Sequence, residues 1–321
     1  MAIMAGMSGT RNGEAMSAGL TALRAGGKRA LAEALASVEQ AAVGSSIAAL
    51  VDDAYLAPRA HVIGFTGPPG VGKSTLIDGL VRKWRACDVT VGVIAVDPSS
   101  HITRGALLGD RIRMRTNPED QGVFVRSLAS RGRLGGLAEL AFPAVILMRA
   151  IYDRVIVETV GVGQSEADIS TVADTVVLCV QPGSGDSLQF MKAGIMEIPD
   201  IAVVTKADMG PPARRALADL KGALGLASSG DVACFMLSVT KGEGLDELTA
   251  AVDERFARLA GAALAKRRHA QAEGWLRSSL LQRFGEEGAA AAAQALSLAE
   301  GAAPFGHAQA IAKRLRVTFG S

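Results

Sequence analysis

The stretch GPPGVGKS, Gly67 to Ser74, constrains this chain more than any other part of its sequence. It fits the GxxxxGK[ST] phosphate-loop pattern, directly follows the apolar run HVIGFT and opens a helix-like segment. In that strand–loop–helix setting, glycines let backbone N–H groups converge on phosphate oxygens at a helix N-terminus, where the dipole favours anions. Gly67, Pro68, Pro69, Gly70, Val71, Gly72, Lys73, Ser74 and Thr75 are therefore expected around a nucleotide's phosphates. Lys73 is expected to neutralise the β- and γ-phosphates, and the Ser74 hydroxyl to ligate Mg²⁺. A chance glycine turn would not carry the complete motif in this setting.

A phosphate loop needs a sheet to hold it, and the surrounding sequence supplies one. Short, nearly continuous apolar runs occur at 61–66, 91–96, 123–125, 155–158, 176–180, 201–204 and 233–237. Strands buried on both faces read this way, because helices cover each side of a parallel sheet. The segments 73–86, 136–151, 187–197, 211–224 and 244–260 are long enough for crossover helices. Right-handed connections then give an α/β fold, a doubly wound, mostly parallel sheet. Before it, helices are expected over 28–40 and from Ser45 to Leu56, closed by Pro58. After about Gly261 the text becomes Ala-rich, charged and free of strand signals. The expected division is an N-terminal helical extension (1–58), a phosphate-loop domain (59–262) and a C-terminal helical segment (263–321).

Composition narrows the function. Thirty-four Lys and Arg against 32 Asp and Glu leave a net charge of +2, without the basic surplus of a nucleic-acid binder. Aromatic residues, at 4%, are too few for base-stacking platforms. Cys87, Cys179 and Cys234 form no CxxC pair, so a disulfide framework or spaced zinc site is not expected, and a reducing cytoplasm is. No 18-residue window is apolar without charge, and the start lacks a secretory pattern, so neither membrane nor secretion is expected. The four histidines are scattered, and Trp84 and Trp275 read as packing residues. Arg126, Arg131 and Arg133 read as solvated, with phosphate or partner contact as the alternative.

The base is read from TKAD, Thr205 to Asp208, which follows the run IAVV and fits the [NT]KxD guanine pattern. A carboxylate there accepts both N1–H and N2–H₂ of guanine, a donor pair that adenine lacks, so Asp208 selects GTP. Lys206 can lay its stem across the base. Ser238, Val239 and Thr240 follow the next strand, where backbone groups can meet the base oxygen; capping by Ser238 or Thr240 is the alternative. Asp97 and Glu158 end strands that deliver their C-terminal ends to the phosphate-loop edge. Asp110 lies between them in sequence, as a third carboxylate for the metal or as a helix cap or ion-pair partner of Arg111 or Arg113. Mg²⁺ keeps several waters, so not all three need be ligands. In ETVG, Glu158 to Gly161, the Gly161 N–H can meet the γ-phosphate, and Gln164 is the candidate to orient water.

Together these motifs resemble the MeaB/ArgK GTPases, the family of the methylmalonic aciduria type A protein. The carrying segments are AVDPSS (95–100), LGDRIRM (108–114), VFVRSLASRGRLGGL (123–137), VETVGVGQSE (157–166), PGSGDSLQFMKAGIMEIPDI (182–201) and VTKAD (204–208). The resemblance implies a SIMIBI-type phosphate-loop domain and a homodimer formed through the C-terminal arm. It implies a chaperone that gates cofactor loading into, and protects or reactivates, an adenosylcobalamin-dependent acyl-CoA mutase (methylmalonyl-CoA mutase or a relative), with no cobalamin bound by this chain itself. By motif, Lys73, Ser74, Asp97, Asp110 and Glu158 fall on family active-site positions, and Asp208 on the guanine reader. Gly183, Gly185, Asp186 and Gln189 match a third switch that relays nucleotide state to the mutase. Thr205 stands where Asn is common, removing an amide that orders the base site, and HITRGALLGD (101–110) replaces a more glycine- and serine-rich first switch. Two other functions use similar loops. A nickel metallochaperone GTPase would carry a His-rich tract or a CxC or CxxC handle, and a phosphate-loop kinase would not carry TKAD.

Overall fold

The structure, a computed structural model, describes residues 18–40, 45–98, 119–130, 138–159, 169–183, 199–227 and 232–319. A helix over 18–25 (α1) leads into α2 (Gly27–Gln40) and α3 (Ser45–Leu56). Strand β1 (His61–Thr66) feeds α4 (Lys73–Ala86), followed by β2 (Val91–Pro98), β3 (Val123–Ser130), α5 (Ala138–Arg149) and β4 (Arg154–Thr159). Then come β5 (Thr175–Val180), β6 (Ile201–Val204), α6 (Pro211–Ala227), β7 (Ala233–Met236) and α7 (Leu245–Leu259). Two further helices end the chain, α8 (Ala262–Ala291) and α9 (Pro304–Phe319). All seven apolar runs form strands, with β2 and β3 extending past the expected ends. The helix expected over 187–197 lies outside the described residues.

The strands form one sheet in the order β3-β2-β4-β1-β5-β6-β7, and every pairing is parallel. Strand β4 slots between β1 and β2, so Glu158 aligns with Phe65 on one side and Ala95 on the other. This register matters for function, because it brings the end of β4 beside the loop that leaves β1.

Alternating side chains separate two cores, as a two-faced sheet requires. Ile63, Phe65 and Ile156 face α4 and α7, packing on Leu76, Leu80, Trp84 and Leu248. Val62, Val155 and Val157 face the other way, toward α5 and the terminal helices. There Trp275 of α8 lies 5.7 Å from Phe142 of α5 and 4.4 Å from Phe305 of α9, ring centre to ring centre. Asp52 of α3 accepts the backbone N–H groups of Phe305 and Gly306 at 2.9 and 2.7 Å, capping α9. The helices on either side of the phosphate-loop domain thus share one core with its sheet. Both tryptophans are packing residues, 4% and 5% exposed. Arg126, expected to be solvated, instead pairs with Glu39 of α2 at 2.6 Å, while Arg131 and Arg133 lie outside the described residues.

Candidate functional site

The phosphate loop leaves β1 at Gly67, whose φ of 137° and position against the Cys179 carbonyl leave no room for a side chain. At its other end Gly72, at φ 102°, starts α4 without a side-chain cap. The first-turn N–H groups of α4 are therefore left to an anion, while within the loop the Val71 N–H donates to the Pro68 carbonyl at 3.4 Å. Lys73 is buried at 6% exposure, and its ammonium donates to the carbonyls of Gly67 at 2.6 Å and Pro68 at 3.0 Å. That fold-back holds the cation over the loop where phosphates would arrive. Thr75 is exposed and Val71 is buried, anchoring the loop into the core beneath α4.

Ser74, at the start of α4, donates to Glu158 Oε1 at 2.8 Å. Glu158 is 7% exposed, and its neighbour Thr159 sits within 3.4 Å of the Thr66 hydroxyl. The two oxygens that sequence assigned to a metal are therefore in contact, joined across 84 positions by the β1–β4 register. Asp97 sits on β2 two residues beyond Ala95, the partner of Glu158, so its backbone reaches the same edge. A serine hydroxyl beside a carboxylate is the hard-oxygen donor set that Mg²⁺ takes. Among the described residues, no three His, Cys, Asp or Glu side chains cluster for a softer metal. Cys179, beneath the loop, is fully buried, and burial pushes its thiol up to about 12, which keeps it unreactive.

The loop that sequence expects to read guanine begins at Thr205. Its hydroxyl, 4% exposed, donates to the carbonyls of Val71 at 2.7 Å and Val180 at 3.1 Å. The threonine that replaced an expected amide thus ties the base loop to the phosphate loop directly. Lys206 has φ 54°, and its ammonium reaches the Gly70 carbonyl at 3.2 Å and Gln181 Oε1 at 2.5 Å. A left-handed lysine is strained, and such strain collects at functional sites. Asp208 is exposed and accepts from the Ser238 hydroxyl at 2.6 Å; that hydroxyl also lies 3.0 Å from Thr240 Oγ1. The bond from Ser238, Asp208's own backbone N–H, and Lys241 and Lys206 hold the carboxyl below its ordinary value. It is therefore an anion at neutral pH, as guanine recognition requires. Val239 is half-buried and packs against the core under α4.

Gly183 is exposed with φ 78°, at the same edge after β5. Asp110, Gly161, Gln164, Gly185, Asp186 and Gln189 lie outside the described residues. Gln181, which holds Lys206, and Val180, which receives Thr205, were not singled out by sequence. Their signal was their position: Val180 ends the strand next to β1 and Gln181 follows it, so both reach the loop edge.

A phosphate loop, a carboxylate beside its serine and a [NT]KxD base loop on one edge of a parallel sheet define a phosphate-loop GTPase. The sequence model of the methylmalonyl Co-A mutase-associated GTPase MeaB family matches residues 31–292. The chain belongs to that family. A putative GTPase of Pyrococcus horikoshii is 52% identical over 188 residues, covering 58% of this chain and 59% of that protein, so the chain matches less than two thirds of it. A putative GTPase of Caulobacter vibrioides is 36% identical over 93% of this chain and 96% of its own length. The crystal structure of a protein described as LAO/AO transport system kinase superposes over 99% of this chain and 100% of that chain. Its TM-score is 0.65 at 23% identity, and it speaks for the fold alone.

Proposed function

We propose that this chain hydrolyses GTP to GDP and phosphate with Mg²⁺ and thereby gates cofactor loading into an adenosylcobalamin-dependent acyl-CoA mutase. The observation that carries the GTPase part is the hydrogen bond from Thr205 to Val71, which makes the base and phosphate loops one site. The mutase assignment is supported by family membership. Catalysis is charge stabilisation and positioning rather than covalent chemistry. Lys73 and the backbone N–H groups of 67–75 hold the phosphates, and Asp208 with Lys206 holds guanine. Ser74 and Glu158, with Asp97 and Asp110, would hold Mg²⁺, which would supply positive charge against the phosphates. Gly161 meets the γ-phosphate, and Gln164 orients the attacking water.

Turnover is slow alone and faster with the mutase, and Gly183, Gly185, Asp186 and Gln189 relay the nucleotide state. The chain binds no cobalamin itself; it works as a cytoplasmic homodimer, with 263–321 as the dimer arm. Leu281 and Val317, 45% and 83% exposed on α8 and α9, are apolar positions available to that contact. The decisive test is capture of partners from the native host with the chain held in GDP or in a GTP analogue. A mutase retained in a nucleotide-dependent way supports the assignment; its absence in both states refutes it.

A further inference from the structure

A second cavity opens at the sheet edge opposite the phosphate loop, where β1 and β4 begin. Its volume is about 830 Å³, within the range of roughly 300–1,000 Å³ typical of small-molecule sites. Arg149, the last residue of α5, lines it beside Tyr55, Arg268 and the start of α8 at Gly261 and Ala262. Leu56, Pro58, Leu264 and Leu298 add apolar surface to the lining.

Arg149 is 2% exposed, yet its Nε is buried without a hydrogen-bond partner. Among the described residues its guanidinium forms no ion pair, and its carbon lies over the Tyr55 ring, 5.5 Å from the ring centre. Burial first, and then the charge of Arg268, pushes the group down to about 10, so it remains a cation at neutral pH. Asp174 acts on it electrostatically, but both Asp174 oxygens are already committed. Oδ1 accepts from Arg268 Nε at 2.9 Å, and Oδ2 from Arg268 Nη2 at 2.6 Å and the Val62 N–H at 2.9 Å. The buried Arg149 and the part-buried Arg268 against the one buried Asp174 carboxylate leave one positive charge over. The position of Arg149 at the C-terminal end of α5 is favoured by that helix's dipole, but this does not satisfy the Nε.

A buried charge without a partner costs several kcal/mol, so a fold that keeps one has a use for it. The start of α8 adds to the attraction, since Gly261 gives it no side-chain cap and its first-turn N–H groups favour an anion. Lys266 and Glu300, both exposed, and the half-buried His269, which sits 3.4 Å from Glu273, complete the charged lining.

We propose that this cavity binds a small organic anion, a single carboxylate or phosphate head on an apolar body. Arg149 receives the head, and the leucine-lined wall receives the body. The proposal concerns the edge away from the nucleotide and stands whether or not GTP is the substrate.

The test is calorimetric titration of the full chain with hexanoate and with hexyl phosphate, alongside hexanol and inorganic phosphate as head-free and body-free controls. One or both amphiphilic anions should bind saturably and raise the melting temperature, and the two arms tell which head is preferred. Both controls should bind at least about tenfold more weakly. Arg149→Met should abolish anion binding, leave basal nucleotide hydrolysis unchanged and melt no lower than wild type without ligand, because it removes an unpaired buried charge. Ala265→Trp, which fills the cavity and leaves the charge, should also block binding. If neither anion binds wild type, if hexanol or inorganic phosphate binds as well, or if Arg149→Met or Ala265→Trp binds normally, the site is not an anion receptor.

Discussion

Replacing Thr205 by Val keeps the shape of the side chain and removes only its hydroxyl. That hydroxyl is 4% exposed and is shared between the carbonyls of Val71, in the phosphate loop, and Val180, at the end of β5. A buried hydrogen bond of this kind is worth about 1–1.5 kcal/mol net. The Val71 carbonyl lies in the loop that must be ordered around phosphate, so the loss should fall on nucleotide binding as well as on the melting temperature. At about 1.4 kcal/mol per decade, the variant should bind GTP and GDP roughly five- to twelvefold more weakly. Thr205→Ser keeps the hydroxyl and should stay within about twofold of wild type, since it retains the donor. Calorimetric titration of all three proteins with GDP, with thermal melts, measures both quantities. Equal affinity in Thr205→Val, or an equally weak Thr205→Ser, would refute the idea that this hydroxyl joins the two loops.

Other changes probe the rest of the site. Asp208→Asn should shift preference from guanine to xanthine nucleotides, because an amide can donate to the 2-oxo group; competition between GTP, XTP and ATP measures it. Because the Asp208 carboxyl sits below its ordinary 3.8, guanine selectivity should persist from neutral pH down to about that value and fall only as pH drops further; GDP titrations across pH check this. Gly67→Ala should fail to give a stable, nucleotide-binding chain, because its Cβ would meet the Cys179 carbonyl; soluble yield and melting report it. Asp174→Asn breaks a pair in which Asp174 is 0% and the Arg268 side chain 11% exposed, so it should cost about 3 kcal/mol in denaturant unfolding. Burial pushes the Asp174 carboxyl up, but Arg268, Arg149 and the Val62 N–H outweigh it and hold the group below its ordinary value. The pair's contribution should therefore be full above about pH 4 and lost as pH falls through the folded value.

The seven strands were legible because each apolar run is short and bounded, a pattern that depends on neighbours in sequence alone, although the edge strand β7 is only half-buried. The phosphate and guanine motifs were legible because their chemistry fixes residue types at fixed spacing. What sequence could not give is which distant groups meet. Thr205 reads as a weakened guanine motif until the fold brings Val71 to it across 134 positions. Arg126 reads as solvated until α2 brings Glu39. The terminal helices read as separate extensions, because nothing local says that Trp275, Phe142 and Phe305 will stack. Arg149 drew no notice at all, since a single arginine at a helix end is ordinary until its burial without a partner is seen.

The central claim is that one edge of the sheet reads guanine and hydrolyses its triphosphate through Lys73. It is tested most directly by phosphate release from the purified chain given GTP or ATP, with Mg²⁺ or with chelator, in wild type and Lys73→Ala. The account predicts Mg²⁺-dependent release from GTP, little from ATP, and none above background in Lys73→Ala, where the phosphate-neutralising charge is gone. Equal turnover of ATP, or wild-type turnover in Lys73→Ala under matched Mg²⁺, would contradict it.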